Sequence, residues 1–286
     1  MVTYENGRED YYVRQLRIVN DLRGALQRNE LVVHFQPKIE LLSGTPCGAE
    51  ALVRWEHPDL GWLPPDDFIP AAEQAGSIVH LTRYVLARAV KQCRIWQDNG
   101  YDLQISVNLS ARNLLDEHLT QNVIQALKEN QIPARRLTLE ITENTVMREI
   151  DRAIGVLERL HNIGVRISMD DFGTGYSSLA QLKNMPLDEL KIDKSFVMTM
   201  MNDPHNEAIV KTTLELAHNM NLQVVAEGVE DEATIRYLAA GGCEQAQGYF
   251  LSKPVSSEDL LRWLGSWQSQ SYAERRGSSR PFRKTA

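Results

Sequence analysis

Eight short apolar runs along the chain each end on a polar side chain. These polar residues are, in order, Gln36, Glu50, Asn108, Glu140, the pair Asp170 and Asp171, Lys191, Glu227 and Gln247. Short β-rich runs that alternate with helical segments predict βαβ units and a parallel sheet. Because all strands of a parallel β/α barrel point their carboxyl ends at one mouth, eight such strands would bring these groups to a single site.

The number of runs favours a closed barrel over an open sheet, and the predicted fold is a modified TIM-type (β/α)8 barrel of the α/β class. Such a barrel takes roughly 250 residues, which residues 21–266 supply. Gly44 and Pro46 lie in a short connection between the first two runs. This connection is too short for a crossover helix, so we expect the first strand to be antiparallel to the second.

The segments between the runs have helical periodicity. One of them repeats apolar residues every fourth position before a glycine, through Leu81, Val85, Ala89, Cys93 and Gly100. Two further segments, around Ile154 and Leu214, repeat the pattern. This spacing predicts amphipathic helices that cover the outside of the barrel.

The chain divides into three parts on sequence grounds. Residues 1–21 are an N-terminal helix or linker, because residues 11–28 have an amphipathic pattern typical of either a capping helix or the end of a signalling linker. Residues 22–267 form the barrel. Residues 268–286 are polar and basic, which predicts a disordered tail; a tail that binds nucleic acid or membrane is the alternative.

Composition excludes several classes of function. The formal net charge of -7 argues against a general nucleic-acid binder. The apolar runs are shorter than the roughly 20 residues that span a bilayer, so we expect no membrane contact by this chain itself. Three cysteines without a CxxC pair suggest neither a disulfide framework nor a zinc knuckle. We expect a cytoplasmic location, either alone or as the cytoplasmic part of a larger membrane-anchored protein.

Five carboxylates and one amide are predicted at the barrel mouth. They are Glu50, Glu140, Asp170, Asp171, Glu227 and Asn108. Two ionised carboxylates about 4 Å apart repel by roughly 4 kcal/mol at an effective dielectric of 20, so the cluster needs cations. Lys191 offers one positive charge, and two divalent ions offset the remaining four negative charges. Oxygen ligands select Mg²⁺ or Mn²⁺, and two such ions are suited to the attack of water on a phosphodiester.

Taken singly, each of these residues has a simpler explanation. A lone Asp or Glu near a strand end is more often a helix cap or an exposed charge than a metal ligand. A buried lysine usually pairs with one carboxylate. The metal interpretation depends on their occurrence together at the same end of successive strands, because independent caps have no reason to gather there.

Eight segments also carry a family resemblance. They read GAEALVRWEHP, FIPAAE, SVNLSARNL, LEITE, MDDFGTGYSSL, LKIDKSFV, VVAEGVE and QGYFLSKP. In this order and spacing they resemble the EAL domain of bacterial cyclic di-GMP phosphodiesterases, from about Leu22 to Trp267. The resemblance implies a barrel with an antiparallel first strand, and hydrolysis of cyclic di-GMP to linear pGpG.

The resemblance also implies roles for individual residues. Glu50, Asn108, Glu140 and Asp170 resemble ligands of one metal ion, and Asp170, Asp171 and Glu227 resemble ligands of a second. Lys191 matches a lysine that holds the attacking water, and Gln247 matches a polar group beside it, so the catalytic candidates are Glu50, Lys191, Glu227 and Gln247. Gln36 and Arg54 match substrate contacts, and Leu52, Glu230 and Pro254 match contacts near guanine.

The segment from Asp171 to Leu179 is predicted to couple loop shape to the metal site, since Gly173 and Gly175 permit unusual backbone angles. A plain strand-to-helix turn is the alternative. By resemblance, Glu143 stabilises this loop and the loop contributes to a homodimer. Ca²⁺ is expected to inhibit, because its bonds to oxygen are longer than those of Mg²⁺ or Mn²⁺ and would misplace the water.

Three functions compete on sequence alone. The first is an active phosphodiesterase, favoured because the residues at the metal, lysine and loop positions match the family. The second is a catalytically weak receptor for cyclic di-GMP. The third is an interaction module, which leaves the carboxylate cluster unexplained. An upstream sensory or GGDEF domain outside this chain is a further expectation.

Overall fold

The computed structural model describes residues 3–143, 145, 150–174 and 179–269. One sheet contains all nine strands of these ranges, namely β1 (Leu31–Glu40), β2 (Pro46–His57), β3 (Gly61–Leu63), β4 (Gln104–Leu109), β5 (Leu137–Thr142), β6 (Arg166–Phe172), β7 (Glu189–Ile192), β8 (Gln223–Ala226) and β9 (Gln245–Gln247). The order is β1-β9-β8-β7-β6-β5-β4-β2-β3, and a further pairing of β1 with β2 closes the sheet. Eight strands therefore form a barrel, and β3 is a short hairpin extension of β2.

Strand β1 runs against both of its neighbours, β2 and β9, whereas the other barrel strands pair in parallel. The cause is the connection of residues 41–45, which is long enough for a hairpin only. The predicted fold class and the antiparallel first strand are confirmed.

The expectation that every polar side chain ends its strand was wrong for the first two strands. Gln36 lies in the middle of β1, which continues to Glu40. Glu50 lies in β2, which continues past the mouth to His57. The apolar run that precedes each residue marks only part of its strand. In β1 the reversed direction also puts the carboxyl end at the opposite end of the barrel.

Helices surround the barrel. They are α1 (Thr3–Arg28), α2 (Pro65–Gln74), α3 (Ile78–Asp98), α4 (Ala111–Leu114), α5 (Leu119–Asn130), α6 (Ile150–Asn162), α7 (Leu179–Leu182), α8 (Lys194–Val197), α9 (Pro204–Asn219), α10 (Glu232–Ala240) and α11 (Ser257–Ser269), with a 3-10 turn at Ala134–Arg136. The four-residue repeat of α3 is buried, as its periodicity predicts. Across the described part of the chain, none of the helices combines the length and the apolarity that crossing a membrane requires.

The first helix is longer than its amphipathic pattern indicated. It begins at Thr3, ends at Arg28 and includes residue 21, the predicted end of the N-terminal segment. Ile18, Leu22 and Ala25 are buried in the same apolar cluster as the barrel strands. The helix therefore packs on the barrel as one of its covering layers. The predicted basic tail lies, from residue 270 onward, outside the described residues.

The barrel interior is polar, and the alternation of side chains along the strands explains why. In β4, Ile105, Val107 and Leu109 belong to the apolar core cluster, whereas Ser106 lies on the opposite face. The register aligns Ser106 with Thr138 of β5, and Ser168 of β6 with Glu189 of β7. Most β/α barrels fill this space with branched apolar residues. Here the interior is built of hydroxyls, carboxylates and ammonium groups.

Candidate metal and substrate site

Lys191 of β7 lies at the centre of the polar interior. Its Nζ is 2.7 Å from Glu227, 3.0 Å from Glu140, 3.1 Å from Asp170 and 3.7 Å from Glu50. Burial acts to lower the pKa of this ammonium group, but the surrounding carboxylates outweigh burial and raise the pKa well above its usual range. Lys191 is therefore a fixed positive charge that holds together acids from four other strands or strand ends.

Asp170, Asp171 and Glu227 form the tightest acidic group of the site. One ligand oxygen from each lies within 4.8 Å of the other two. The pairing of β6 with β7 is irregular between Met169 and Phe172, and Asp171 has a left-handed φ of 54°. Such a bulge re-aims a side chain, and here it brings a second, consecutive aspartate to the mouth.

The pKa values of this acidic group show how much the cluster resists full ionisation. Burial, with Asp170 and Asp193 adding to it, raises the pKa of Asp171 to about 6. Burial also raises the pKa of Glu227 to about 8, although the charge of Lys191 opposes the shift. The single ammonium group of Lys191 does not neutralise the three converging carboxylates. Divalent cations suit these oxygen ligands because they supply the missing positive charge.

Glu50 connects the metal candidates to the substrate candidates. Its Oε1 accepts a hydrogen bond of 2.7 Å from the Asn108 amide, and its Oε2 accepts one of 2.7 Å from Gln247. Gln247 also donates to Gln36 at 2.9 Å, and Gln36 donates to the Ser252 carbonyl oxygen. Since Asn108 uses its amide nitrogen on Glu50, its amide oxygen is the atom that can serve a cation.

A cavity of about 480 Å³ opens beside this chain of hydrogen bonds. Its lining includes all five predicted substrate contacts, which are Gln36, Leu52, Arg54, Glu230 and Pro254, together with Glu50, Asp170, Glu227 and Gln247. A second cavity of about 500 Å³ lies between β2, α2 and α3, and shares Leu52 and Asp170 with the first. Asp170 therefore lies where the two open volumes meet.

The loop after β6 is only partly described. Gly173 has a φ of 97°, as predicted for an unusual backbone angle, and a Cβ there would lie 3.1 Å from the Phe196 ring. Glu143 is buried directly after β5. Residues 175–178, including Gly175, lie outside the described residues, so the loop role of Glu143 stays a prediction.

Two charged residues of the interior, Lys38 of β1 and Glu189 of β7, were missed by the sequence reasoning. The ammonium of Lys38 lies 2.8 Å from Glu140 and 3.7 Å from Glu189. The available signal was the alternation of strand residues: Lys38 is two positions after Gln36, and Glu189 two before Lys191. Residues on the same face of a strand enter the same interior, one layer deeper.

Without metal, the free energy of unfolding is expected to fall as the pH rises from about 5 to about 8. The unfolded carboxyl pKa is about 4, whereas Asp171 and Glu227 titrate at about 6 and about 8 when folded. The folded chain therefore binds more protons in this window, and its stability decreases with pH. Thermal melting in chelator checks this. Glu227→Gln should flatten the upper part of the curve, added Mg²⁺ should reduce the decline, and a melting temperature that rises with pH contradicts the expectation.

The fold and the acidic site together define a β/α barrel with a carboxylate-rich mouth. Comparison with known proteins identifies the family of this barrel. The EAL domain model matches residues 19–254. The chain is 45% identical over 248 residues to the bifunctional diguanylate cyclase/cyclic di-GMP phosphodiesterase MucR of Pseudomonas aeruginosa, covering 86% of this chain and 36% of that protein. It is 38% identical over 243 residues to the cyclic di-GMP phosphodiesterase PdeR of Escherichia coli, covering 85% and 37%.

A solved structure described as the PaMucR phosphodiesterase in complex with c-di-GMP superimposes with a TM-score of 0.82 at 45% identity, covering 86% of this chain and all of that one. This chain belongs to the EAL domain family. It spans slightly more than a third of the length of MucR and of PdeR.

Proposed function

We propose that this domain hydrolyses cyclic di-GMP to linear pGpG. One observation carries the proposal: oxygen donors from five strands or strand ends converge around Lys191, beside a cavity lined by Gln36 and Arg54. The relatives MucR and PdeR are both named as cyclic di-GMP phosphodiesterases, which supports cyclic di-GMP as the substrate. In the reaction, a water oxygen bonds to phosphorus, one bond from phosphorus to a ribose oxygen breaks, and that oxygen takes up a proton.

Two groups of residues would hold the two cations. Glu50, Asn108, Glu140 and Asp170 would hold the first, and Asp170, Asp171 and Glu227 the second. When bound, Mg²⁺ or Mn²⁺ would supply activation of the water and neutralisation of charge on the phosphate. The residues of the chain orient the reacting groups. Gln247 fixes the Glu50 carboxylate by a hydrogen bond of 2.7 Å, and the ammonium group of Lys191 would donate a hydrogen bond to the attacking water.

The substrate-binding side of the cavity has complementary chemistry. Arg54 is half-buried and lines the cavity, where its guanidinium group can bind a phosphate as a charged fork. Leu52 and Pro254 offer apolar contact to a base, and Glu230 offers a carboxylate to the donor edge of guanine. We infer that the dinucleotide extends across Asp170 from one cavity towards the other.

We expect the purified chain to convert cyclic di-GMP to pGpG with Mg²⁺ or Mn²⁺, to stop on chelation, and to be inhibited by Ca²⁺. Ca²⁺ takes six to eight oxygens at roughly 2.3–2.6 Å, whereas Mg²⁺ needs near-octahedral contacts at about 2.0–2.1 Å, so the reacting water would be misplaced. Chromatography with mass detection of the product checks this. Binding of cyclic di-GMP without cleavage in either metal would instead make the chain a receptor, and full activity in Ca²⁺ alone would contradict the metal geometry.

A further inference from the structure

Lys38 crosses the barrel interior beneath the candidate metal site. It lies on β1, is 3% exposed, and its Nζ donates to Ser106 Oγ of β4 at 2.9 Å and to Glu140 Oε1 of β5 at 2.8 Å. The same ammonium group is 3.7 Å from Glu189 of β7. One side chain therefore connects β1 with three strands across the barrel, none of which pairs with β1.

Glu140 is held between two lysines. Its Oε1 accepts from Lys38 at 2.8 Å, and its Oε2 accepts from Lys191 at 3.0 Å. Burial acts to raise the pKa of Glu140, but the two ammonium groups outweigh burial and lower the pKa to about 2. The carboxylate is thus ionised and fixed at both oxygens. Because each of its two oxygens accepts a hydrogen bond from a different lysine, the Glu140 carboxylate is restrained from rotating.

The reversed direction of β1 makes this contact possible. Gln36 and Lys38 are on the same face of the strand, two positions apart, and β1 runs away from the mouth. Gln36 therefore lies at the mouth, where it accepts a hydrogen bond from Gln247. Lys38 lies one layer deeper in the barrel interior. Its register partner on β2 is Gly48, where no side chain competes for the interior space.

Charge balance alone is a simpler role for Lys38. Glu189 is 1% exposed, and among the described residues its Oε1 has no hydrogen-bond partner, so Lys38 could serve only to neutralise it. The distances favour Glu140 instead: Lys38 approaches it to 2.8 Å and Glu189 to only 3.7 Å. At 2.8 Å the ammonium group makes a charge-assisted hydrogen bond with a defined direction, whereas at 3.7 Å it contributes mainly attraction.

We propose that Lys38 is a positioning residue: by holding Oε1 of Glu140 from below, it fixes this carboxylate as a metal ligand and keeps Oε2 at the level of Lys191. The inference rests on the proposed function for the identity of the site. Residues that orient a metal ligand typically contribute about 10- to 100-fold to metal affinity or activity. Lys38 would do this from a layer that neither substrate nor solvent reaches.

Three variants separate positioning from charge balance. Lys38→Met removes the bond to Glu140 and leaves Glu189 buried without its cation, so its stability also falls. Glu189→Gln keeps the bond between Lys38 and Glu140. The double variant Lys38→Met with Glu189→Gln restores the net charge of the interior but not the bond to Glu140. It is expected to regain most of the melting temperature that Lys38→Met loses.

The readout is Mn²⁺ binding without substrate, measured by titration calorimetry and by the electron paramagnetic resonance spectrum of the bound ion. We expect Mn²⁺ affinity to fall by about tenfold or more in Lys38→Met and in the double variant, and to stay within about twofold of wild type in Glu189→Gln. In both Lys38 variants kcat should fall more than KM rises. Two results would overturn the inference. One is a wild-type Mn²⁺ affinity in the folded double variant, and the other is a loss of Mn²⁺ affinity in Glu189→Gln as large as the loss in Lys38→Met.

This design keeps the two proposals apart. If wild type binds Mn²⁺ but does not cleave cyclic di-GMP, the proposed function fails, while the effect of Lys38 on Mn²⁺ affinity is still measured. If wild type cleaves the substrate and the double variant binds Mn²⁺ normally, the function stands and the positioning role of Lys38 is wrong.

Discussion

Glu50→Ala is expected to reduce turnover of cyclic di-GMP by about 10²- to 10³-fold, the order of loss found when one transition-state contact is removed. The carboxylate of Glu50 accepts hydrogen bonds from Asn108 and Gln247 and lies 3.7 Å from Lys191. Its removal therefore takes away a candidate metal ligand and releases two neighbouring amides at once. Steady-state kinetics with Mn²⁺ measures the loss.

Substrate binding by Glu50→Ala should persist, because Gln36 and Arg54, which line the cavity, remain in the variant. Calorimetry with cyclic di-GMP in Ca²⁺ tests it without turnover. Glu56→Ala is the matched control, since Glu56 is an exposed glutamate on the same strand. Its kinetics should equal those of wild type. Near-normal turnover by Glu50→Ala would show that Glu50 is not part of the reacting site.

The sequence predicted the barrel because its signals are local. Each strand has an apolar face, and the connection between β1 and β2 is too short for a helix, so the reversal of β1 could be derived from chain length alone. The ends of β1 and β2 could not. Both strands continue past the polar residues Gln36 and Glu50, because hairpin pairing at either end extends them beyond the apolar runs.

The sequence predicted the site residues that lie at strand ends. It did not predict the contacts that form only when the barrel closes. Asp170 and Lys191 both lie within two residues of a strand terminus. The bond from Lys38 to Glu140 joins strands that are three apart around the barrel and 102 residues apart in sequence. No local pattern specifies such a contact. The left-handed backbone of Asp171 likewise follows from an irregular pairing with β7 that spacing does not reveal.

The interior layers explain why the site has two lysines. Six buried or half-buried acids, comprising Glu50, Glu140, Asp170, Asp171, Glu189 and Glu227, face Lys38 and Lys191. When all are ionised, four negative charges remain, which two divalent cations would balance. Charged groups out of water are costly unless paired. Lys38 stabilises the layer that supports the site, and Lys191 lies among the candidate metal ligands Glu140, Asp170 and Glu227.

Lys191→Met is expected to lower kcat by about 10²- to 10³-fold with a much smaller change in substrate affinity. The ammonium group lies within 3.1 Å of Glu227, Glu140 and Asp170, so it is placed to act on the water and on charge that develops in the reaction. Interactions that strengthen only in the transition state change kcat and not ground-state binding. Single-turnover kinetics with Mg²⁺ and calorimetry with cyclic di-GMP in Ca²⁺ separate the two quantities.

Lys211→Met is the matched control for this substitution. Lys211 is an exposed lysine of α9 that pairs with Glu207 at 2.7 Å, away from the cavity, and an exposed pair of this kind contributes about 0–1 kcal/mol. Its kinetics should be those of wild type. Because Lys191→Met leaves buried acids without their shared cation, its melting temperature must be measured with and without Mg²⁺, and Mg²⁺ should raise it more than in wild type. A folded Lys191→Met enzyme that changes KM alone would show that Lys191 binds the substrate and takes no part in the reaction step.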